Sequence, residues 1–306
     1  MTLVTGFGGA NADLHIRLDG PLRAGDSNLS RFSRSAGGVV RNILDNLTKL
    51  GDGTALLSAV GPDADGDRLL ARCTECGIDV SHVLRDPSHG TAAYVSFLDP
   101  SGEMIAAAND MAVIEAIGPS YPESAADLIR SSDALVCDAN PSPEALERFA
   151  ALADGIPLFA DPVSAAKATR LLPILPRLTL IKPNVMELVR LTDLPCNSPE
   201  TIAAAAESLL EKGTKAVCVS LGRDGCYYAD RNGERFTLAI GPVEVMGNAT
   251  GAGDAFLAAM IHSTLKGLPP RDAVRFALGA GRLAVRSPET INPEMSESMI
   301  EKELNE

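Results

Sequence analysis

The chain is predicted to be an α/β protein, a largely parallel sheet with helices on both faces and a small β lid inserted in it. Three observations predict this. Short β-rich runs alternate with longer helical ones through most of the 306 residues, the order that builds parallel sheets. Apolar residues make up 45% of the chain, enough for a large core. Two stretches, about 11–34 and 91–108, break the alternation.

Taken in order, Leu3–Gly6 reads as the first strand and Val39–Leu50 as a helix closed by Gly51. Ala55–Val60 is a strand and Asp65–Cys76 a helix. Ala134–Cys137, Pro143–Leu152 and Leu158–Ala160 read as strand, helix and strand. Leu178–Lys182 is a strand, Pro199–Lys212 a helix ended by Gly213, and Ala216–Leu221 a further strand. The Glu-rich tail from Glu294 reads as a terminal helix. Of the two interruptions, Asn11 to Arg34 is polar and loop-like, with short apolar touches. Thr91 to Ala108 is a hairpin turned by Asp99-Pro100-Ser101-Gly102. The two segments could pair into a lid, all of it within a single domain spanning 1–306.

Composition excludes several classes of function. The net charge is −13, tryptophan is absent and no block of Lys and Arg occurs, whereas a nucleic-acid binder carries a basic patch. A small ligand with its own charge-compensating metal fits better. The start, Met1-Thr2-Leu3-Val4-Thr5-Gly6, lacks the basic and long apolar regions of a signal peptide. No apolar run approaches the ~20 residues that span a bilayer. Of six cysteines, only Cys73 and Cys76 have ligand-like spacing, and no second pair follows. Reduced thiols in a cytoplasmic protein are the reading preferred to a zinc site.

The densest chemistry lies in Asn248-Ala249-Thr250-Gly251-Ala252-Gly253-Asp254-Ala255-Phe256. An apolar helical run follows, to Ile261, and ends at Gly267 before Pro269 and Pro270. Gly251, Ala252 and Gly253 therefore sit at a helix N-terminus, where amide N–H groups lack intrahelical partners and the dipole favours an anion. Asp254 stands beside that cradle, placed to take a proton from an attacking hydroxyl. Cradle and base together suit phosphoryl transfer to an alcohol. The competing reading is a tight turn with a capping acid.

Other constellations carry a plain and a functional reading each. Gly37-Gly38-Val39-Val40-Arg41-Asn42 opens a helix, with Asn42 one turn in. It is either a ligand contact or a polar residue on a wet face. Gly8-Gly9-Ala10-Asn11-Ala12-Asp13 fails the dinucleotide fingerprint because Asn11 replaces the last glycine, and no P-loop pattern occurs. Asn11 and Asp13 are candidate hydroxyl binders, as for a sugar. In Lys182-Pro183-Asn184-Val185-Met186-Glu187, Asn184 and Glu187 share one face of a starting helix. Glu187 could hold Mg²⁺ through water, whereas Asn184 could simply be a cap. The glycines of Ser220-Leu221-Gly222-Arg223-Asp224-Gly225 either admit a nucleotide or make a hairpin turn.

The order of these motifs, over nearly the whole chain, resembles the ribokinase-like family of carbohydrate and nucleoside kinases. The resemblance implies a three-layer ribokinase-like domain, a β lid, and ATP and Mg²⁺ as cofactors. It implies Asp254 as catalytic base and Gly251, Ala252 and Gly253 as the anion hole. Asn11, Asp13, Gly37, Gly38 and Asn42 would hold a ribosyl group. Asn184 and Glu187 would serve the phosphates and Mg²⁺, and Ser220, Gly222 and Gly225 the ATP site. Gly102-Glu103-Met104, Asn109-Asp110-Met111, Asp161-Pro162-Val163-Ser164 and Lys167 are similar to the members that act on pseudouridine, which implies Asn109 and Lys167 near the base. Most members begin the last motif with Asp where this chain has Asn248. In relatives that position helps bind a monovalent cation, and the departure leaves such a requirement open. Ribose, a ketohexose or a purine nucleoside are the alternative acceptors, and a sugar-binding regulator is the alternative class. An exposed lid edge could pair across a homodimer.

Overall fold

The computed structural model describes residues 2–241 and 251–305. Among them, nine strands form one sheet in the spatial order Arg235–Leu238, Cys226–Asp230, Ala216–Ser220, Leu180–Ile181, Leu158–Asp161, Ala134–Asp138, Leu3–Phe7, Gly53–Leu57 and Ile78–Asp79. Every pairing from Ala216–Ser220 to Ile78–Asp79 is parallel, and the two edge strands beyond Ala216–Ser220 are antiparallel.

The sheet is buried on both faces because its side chains alternate. Leu135 and Cys137 join Phe7, Phe149 and Leu188 in one apolar cluster. Ala134 and Val136 join Val40, Leu44, Phe256 and Leu257 in the other. Helices Val39–Lys49 and Ala252–Leu265 lie on that second face. Folds of this kind place ligands at the carboxyl ends of the parallel strands.

The predicted helices recur with boundaries shifted by a residue or two, and Pro143–Leu152 recurs unchanged. Three expectations need correction. The strand expected over 55–60 is two strands, Gly53–Leu57 and Ala59–Val60, the latter paired with Leu84–Arg85. Between them Ser58 turns aside, its hydroxyl donating to the Gly8 carbonyl at 2.7 Å. The strand expected over 178–182 contracts to Leu180–Ile181, after a 3₁₀ stretch Ala168–Arg177 that holds Pro173 and Pro176. The polar stretch from Asn11 folds into two eight-residue strands, Asn11–Leu18 and Ser30–Gly37.

Those two strands join the Ala93–Leu98 and Met104–Asp110 hairpin in a four-stranded sheet ordered Ser30–Gly37, Asn11–Leu18, Ala93–Leu98, Met104–Asp110. Distant segments do pair, through parallel contact of Asn11–Leu18 with Ala93–Leu98. The hairpin turn is the one expected: the Asp99 carboxylate accepts from the backbone N–H of Ser101 at 2.8 Å and of Glu103 at 2.9 Å.

Candidate active site

Helix Ala252–Leu265 begins at Gly251, whose φ of 90° is left-handed. A Cβ on Gly251 would meet the Thr290 carbonyl oxygen at 2.1 Å, so both conformation and space demand glycine there. Gly253 serves a different need. Its backbone is ordinary, but a Cβ on it would stand 3.1 Å from Lys182 Nζ. The glycines of the predicted cradle thus answer to two separate constraints, one from backbone turning and one from an approaching ammonium group.

Asp254, in the first helical turn, is 9% exposed. Burial pushes its carboxyl up to about 7, and the neighbouring Asp161 charge adds to this; the Asn42 hydrogen bond, Lys182 and Arg41 oppose it. A base with that value is matched to neutral pH. Asn42 donates to Asp254 Oδ2 at 2.8 Å. Asn42 is itself buried, which removes the reading of it as a polar residue on a wet face. Arg41 donates to the Asn42 side-chain oxygen Oδ1 and pairs with Asp45 at 3.0 Å, so Asn42 is held from behind.

Residues expected to hold an acceptor lie where the first strand ends. Asn11 donates to Asp13 Oδ1. Burial raises the Asp13 carboxyl, against His15, Asn11 and Arg41, which lower it. Gly37 pairs with Asn11 across the sheet, and a Cβ on Gly37 would strike the Asp13 carboxylate at 2.4 Å. Gly38 has φ 102°, and a Cβ there would meet the Gly9 carbonyl oxygen at 2.3 Å. A cavity of about 630 Å³ beneath the lid is lined by Asp13, His15, Ser35, Arg41 and Thr290, among others.

Sequence reasoning missed the residue that ties these parts together. Asp138, at the end of a central strand and fully buried, accepts from Gly9 N–H at 2.9 Å, Val40 N–H at 3.2 Å and Asn140 N–H at 2.9 Å. One carboxylate thereby fixes two strand ends and the start of helix Val39–Lys49. Burial pushes it up to about 6 despite those three donors. Its signal in the sequence was slight: an acid directly after the apolar run Ala134–Cys137.

A second cavity, of about 750 Å³, is lined by Asn184, Met186, Ile202, Ser220, Gly222 and Tyr227, among others, and so brings together three of the residues expected to serve a nucleotide. Gly225 is not part of its wall. Its φ is 87° and a Cβ on it would meet the Leu238 carbonyl oxygen at 2.0 Å. It serves the hairpin turn, in which Leu221 N–H donates to the Gly225 carbonyl at 2.8 Å. Asn184 and Glu187 form a reciprocal cap, each side chain accepting from the other's backbone N–H at 2.9 Å. The cap reading of Asn184 is therefore realised, and the same residue lines the cavity. Glu187 is 5% exposed; burial and then the Asp161 charge push its carboxyl up.

The residues expected near a base divide. Lys167 donates to Asn140 Oδ1 at 2.9 Å, and Asn140 packs against Gly9. Asn109 lies on the outer lid strand, opposite Tyr94, and is exposed. The Asp110 carboxylate accepts from Ala112 N–H at 3.0 Å. Between strand Leu158–Asp161 and Lys167, Val163 has φ 66°, a conformation that costs a β-branched residue about 1–3 kcal/mol. Asn248 lies outside the described residues. Cys73 is buried and its thiol is pushed up to about 11 by that burial.

Comparison with known proteins bears on this geometry. A family model described as pfkB family carbohydrate kinase matches residues 1–297. The chain is 36% identical over 290 residues to a pseudouridine kinase of Escherichia coli K12, covering 95% of this chain and 92% of that protein. It is 33% identical over 262 residues to an uncharacterized sugar kinase, YeiI, of the same strain, covering 86% and 72%. Among solved structures, Arabidopsis thaliana ribokinase complexed with ribose and ATP superposes with a TM-score of 0.88 at 23% identity, covering 100% of both chains. A carbohydrate kinase from Agrobacterium tumefaciens gives 0.88 at 24% identity, covering 100% of this chain and 97% of that one. At those identities the superpositions speak to the fold.

Proposed function

The chain belongs to the pfkB family of carbohydrate kinases and is an ATP-dependent phosphotransferase, and from that premise we propose that its acceptor is pseudouridine, phosphorylated on the 5′-hydroxyl. The observation that carries the chemistry is Asp254, buried at a helix N-terminus with its carboxyl near neutrality and its Oδ2 bonded to Asn42. Support for the acceptor comes from the 36% identity to a pseudouridine kinase along 95% of the chain.

In this reading Asn11, Asp13, Gly37, Gly38 and Asn42 hold the ribose and present its hydroxyl to Asp254. Asp254 takes the proton as that oxygen attacks the γ-phosphorus. The Gly251, Ala252 and Gly253 amides receive the transferring group's oxygens. Nucleotide occupies the cavity beside Asn184, Ser220 and Gly222. Mg²⁺ fits the same end of the sheet. Glu187 is a buried carboxylate there, a hard donor suited to a cation that keeps most of its water. When bound, Mg²⁺ would neutralise phosphate charge there. Lys167, with Asn140, is read as facing the base from the strand ends, and Asn109 from the lid.

The cytoplasm suits this reaction and six unpaired cysteines. Among the described residues, no helix is long and apolar enough to cross a membrane. The lid leaves Phe32 66% and Met104 59% exposed, which supports pairing with a second copy; sedimentation velocity would read it.

An acceptor screen with ATP tests the substrate: pseudouridine, uridine, ribose, fructose, adenosine and inosine. Pseudouridine keeps an N1–H donor where uridine presents C5–H. A site built on such a bond can reject the analogue by about 10⁴–10⁵-fold. We expect kcat/KM for pseudouridine to exceed that for uridine at least roughly 10²-fold. Equal rates, or faster ribose phosphorylation, would remove pseudouridine and leave the kinase assignment intact.

A further inference from the structure

Helix Val39–Lys49 carries a buried ion pair. Arg41 and Asp45, one turn apart, are each 2% exposed, with Arg41 Nη1 at 3.0 Å from Asp45 Oδ2. The pair is otherwise poorly matched. Among the described residues, Arg41 Nε and Asp45 Oδ1 are buried without a hydrogen-bond partner. A buried ion pair left partly unsatisfied is a weak stabiliser, often no better than apolar residues of the same volume. Stability alone therefore gives little reason for it.

The other bonds of the guanidinium point to a reason. Its Nη2 donates to the Ala36 carbonyl at 2.9 Å, near the end of lid strand Ser30–Gly37, and to Asn42 Oδ1. Asn42 in turn donates from Nδ2 to Asp254 Oδ2 at 2.8 Å. A side-chain amide has two orientations, with oxygen and nitrogen exchanged. A guanidinium only donates, so it accepts only the orientation that turns oxygen towards it. The nitrogen then faces Asp254. Turned over, Asn42 would set its NH₂ against the guanidinium and offer its oxygen to Asp254. That arrangement suits a protonated carboxyl, and a hydrogen bond to the protonated form favours that form. A base held in that form cannot take a proton.

We propose that Arg41 is a positioning residue for Asp254: it locks the Asn42 amide with its N–H facing the carboxylate, and through Ala36 it ties that amide to the root of the lid. This deepens the reading of Asp254 as general base and rests on it. Other charges surround the base. Asp161 and Lys182, paired at 3.0 Å, face it from the strand ends, and Arg41 adds its own charge from helix Val39–Lys49. Asp13 and His15 lie towards the lid, where Asp13 feels both His15 and Arg41. Among the described residues, Arg41 is the one donor to Asn42 Oδ1, so the choice of amide orientation falls to it.

The test is a mutant cycle read as a pH profile of kcat/KM, with whichever acceptor the enzyme uses best. Arg41→Met alone leaves Asp45 buried and unpaired, so R41M/D45N, which removes both charges, is the variant measured. Its acidic limb should move up by about one pH unit, so that kcat/KM falls about 10-fold at pH 6 and by less at pH 9. The same pair of changes is then made in the Asn42→Ala background, where it should cost less than about 2-fold at either pH. A direct effect of the lost guanidinium charge would persist in that background; an effect carried by the amide cannot. An equal loss with and without Asn42, a loss uniform across pH, or a profile like wild type would overturn the proposal. Asp254→Asn is measured alongside. If it keeps wild-type kcat, the base reading itself fails; if it is crippled while the cycle is additive, only the role of Arg41 fails. An error about pseudouridine leaves every outcome unchanged, because the acceptor is chosen by its rate.

Discussion

The N-terminus of helix Ala252–Leu265 and the outer strand of the lid are opposite kinds of structure. Asp254 is 9% exposed, and ten consecutive residues of its helix from Asp254 to Ser263 are buried. Every residue of lid strand Met104–Asp110 is exposed. In the proposed mechanism the reacting groups stand on this buried element, where a displacement of about 1 Å can cost 10²-fold in rate. In the same proposal the acceptor contacts extend from a sheet with little core of its own, the low-stability kind of region from which lids are drawn. Catalysis should therefore depend on fixed charge at the helix, and recognition on movement of the lid.

The largest effect that would break this comparison lies at Asp254. Asp254→Asn should lower kcat about 10²–10⁴-fold while ligand binding is largely kept. It should also raise the melting temperature at pH 8. The folded carboxyl titrates near 7 and the unfolded one near its ordinary value of 3.8, so the folded state holds the extra proton. Wild-type stability therefore falls as pH rises through that window, and Asn escapes the fall. A folded Asn variant with wild-type kcat would restore the capping reading of Asp254.

The pH profile sharpens the same point. Asp254 must be ionised to accept a proton, so kcat/KM should fall about tenfold per pH unit below about 7. Asp161, Lys182 and Arg41 set the charge around it, and Asn42 bonds to it. Removing that bond in Asn42→Ala should move the acidic limb to higher pH and lower kcat/KM. An unmoved limb would mean that Asn42 does not tune the base.

A smaller change is expected at Glu187. Glu187→Gln should raise the Mg²⁺ concentration for half-maximal rate several-fold. The capping bond from Asn184 N–H survives, because the Gln amide oxygen can still accept it. A superimposable Mg²⁺ titration would reduce Glu187 to a cap. Smallest is the lid effect: hydrogen exchange in 11–34 and 91–108 should slow with pseudouridine and a non-hydrolysable ATP analogue together, and hardly change in strand Ala134–Asp138. Equal change in both regions would erase the contrast.

Local chemistry wrote much of this protein into its sequence. Alternating apolar runs specified strands, Gly51, Gly213 and Gly267 marked helix ends, and Gly251 through Asp254 announced a helix start with an acid in its first turn. These are signals carried by neighbouring residues, so a linear reading finds them. Even the pairing of two distant β-rich segments was legible, because each needed a partner strand. Three-dimensional packing decided the rest. Gly225, grouped with the nucleotide loop by spacing, serves a hairpin because Leu238, thirteen residues on, presses against it. Asn42 meets Asp254 across 212 positions of sequence. Asp138 and Lys182 looked like the ordinary polar residues that follow strands, and burial turned one into a knot for three backbone amides and the other into a partner of Asp161 beside the start of helix Ala252–Leu265. Hydrogen bonds and ion pairs act over about 3 Å, a distance that sequence separation does not measure until the sheet has placed its strand ends side by side.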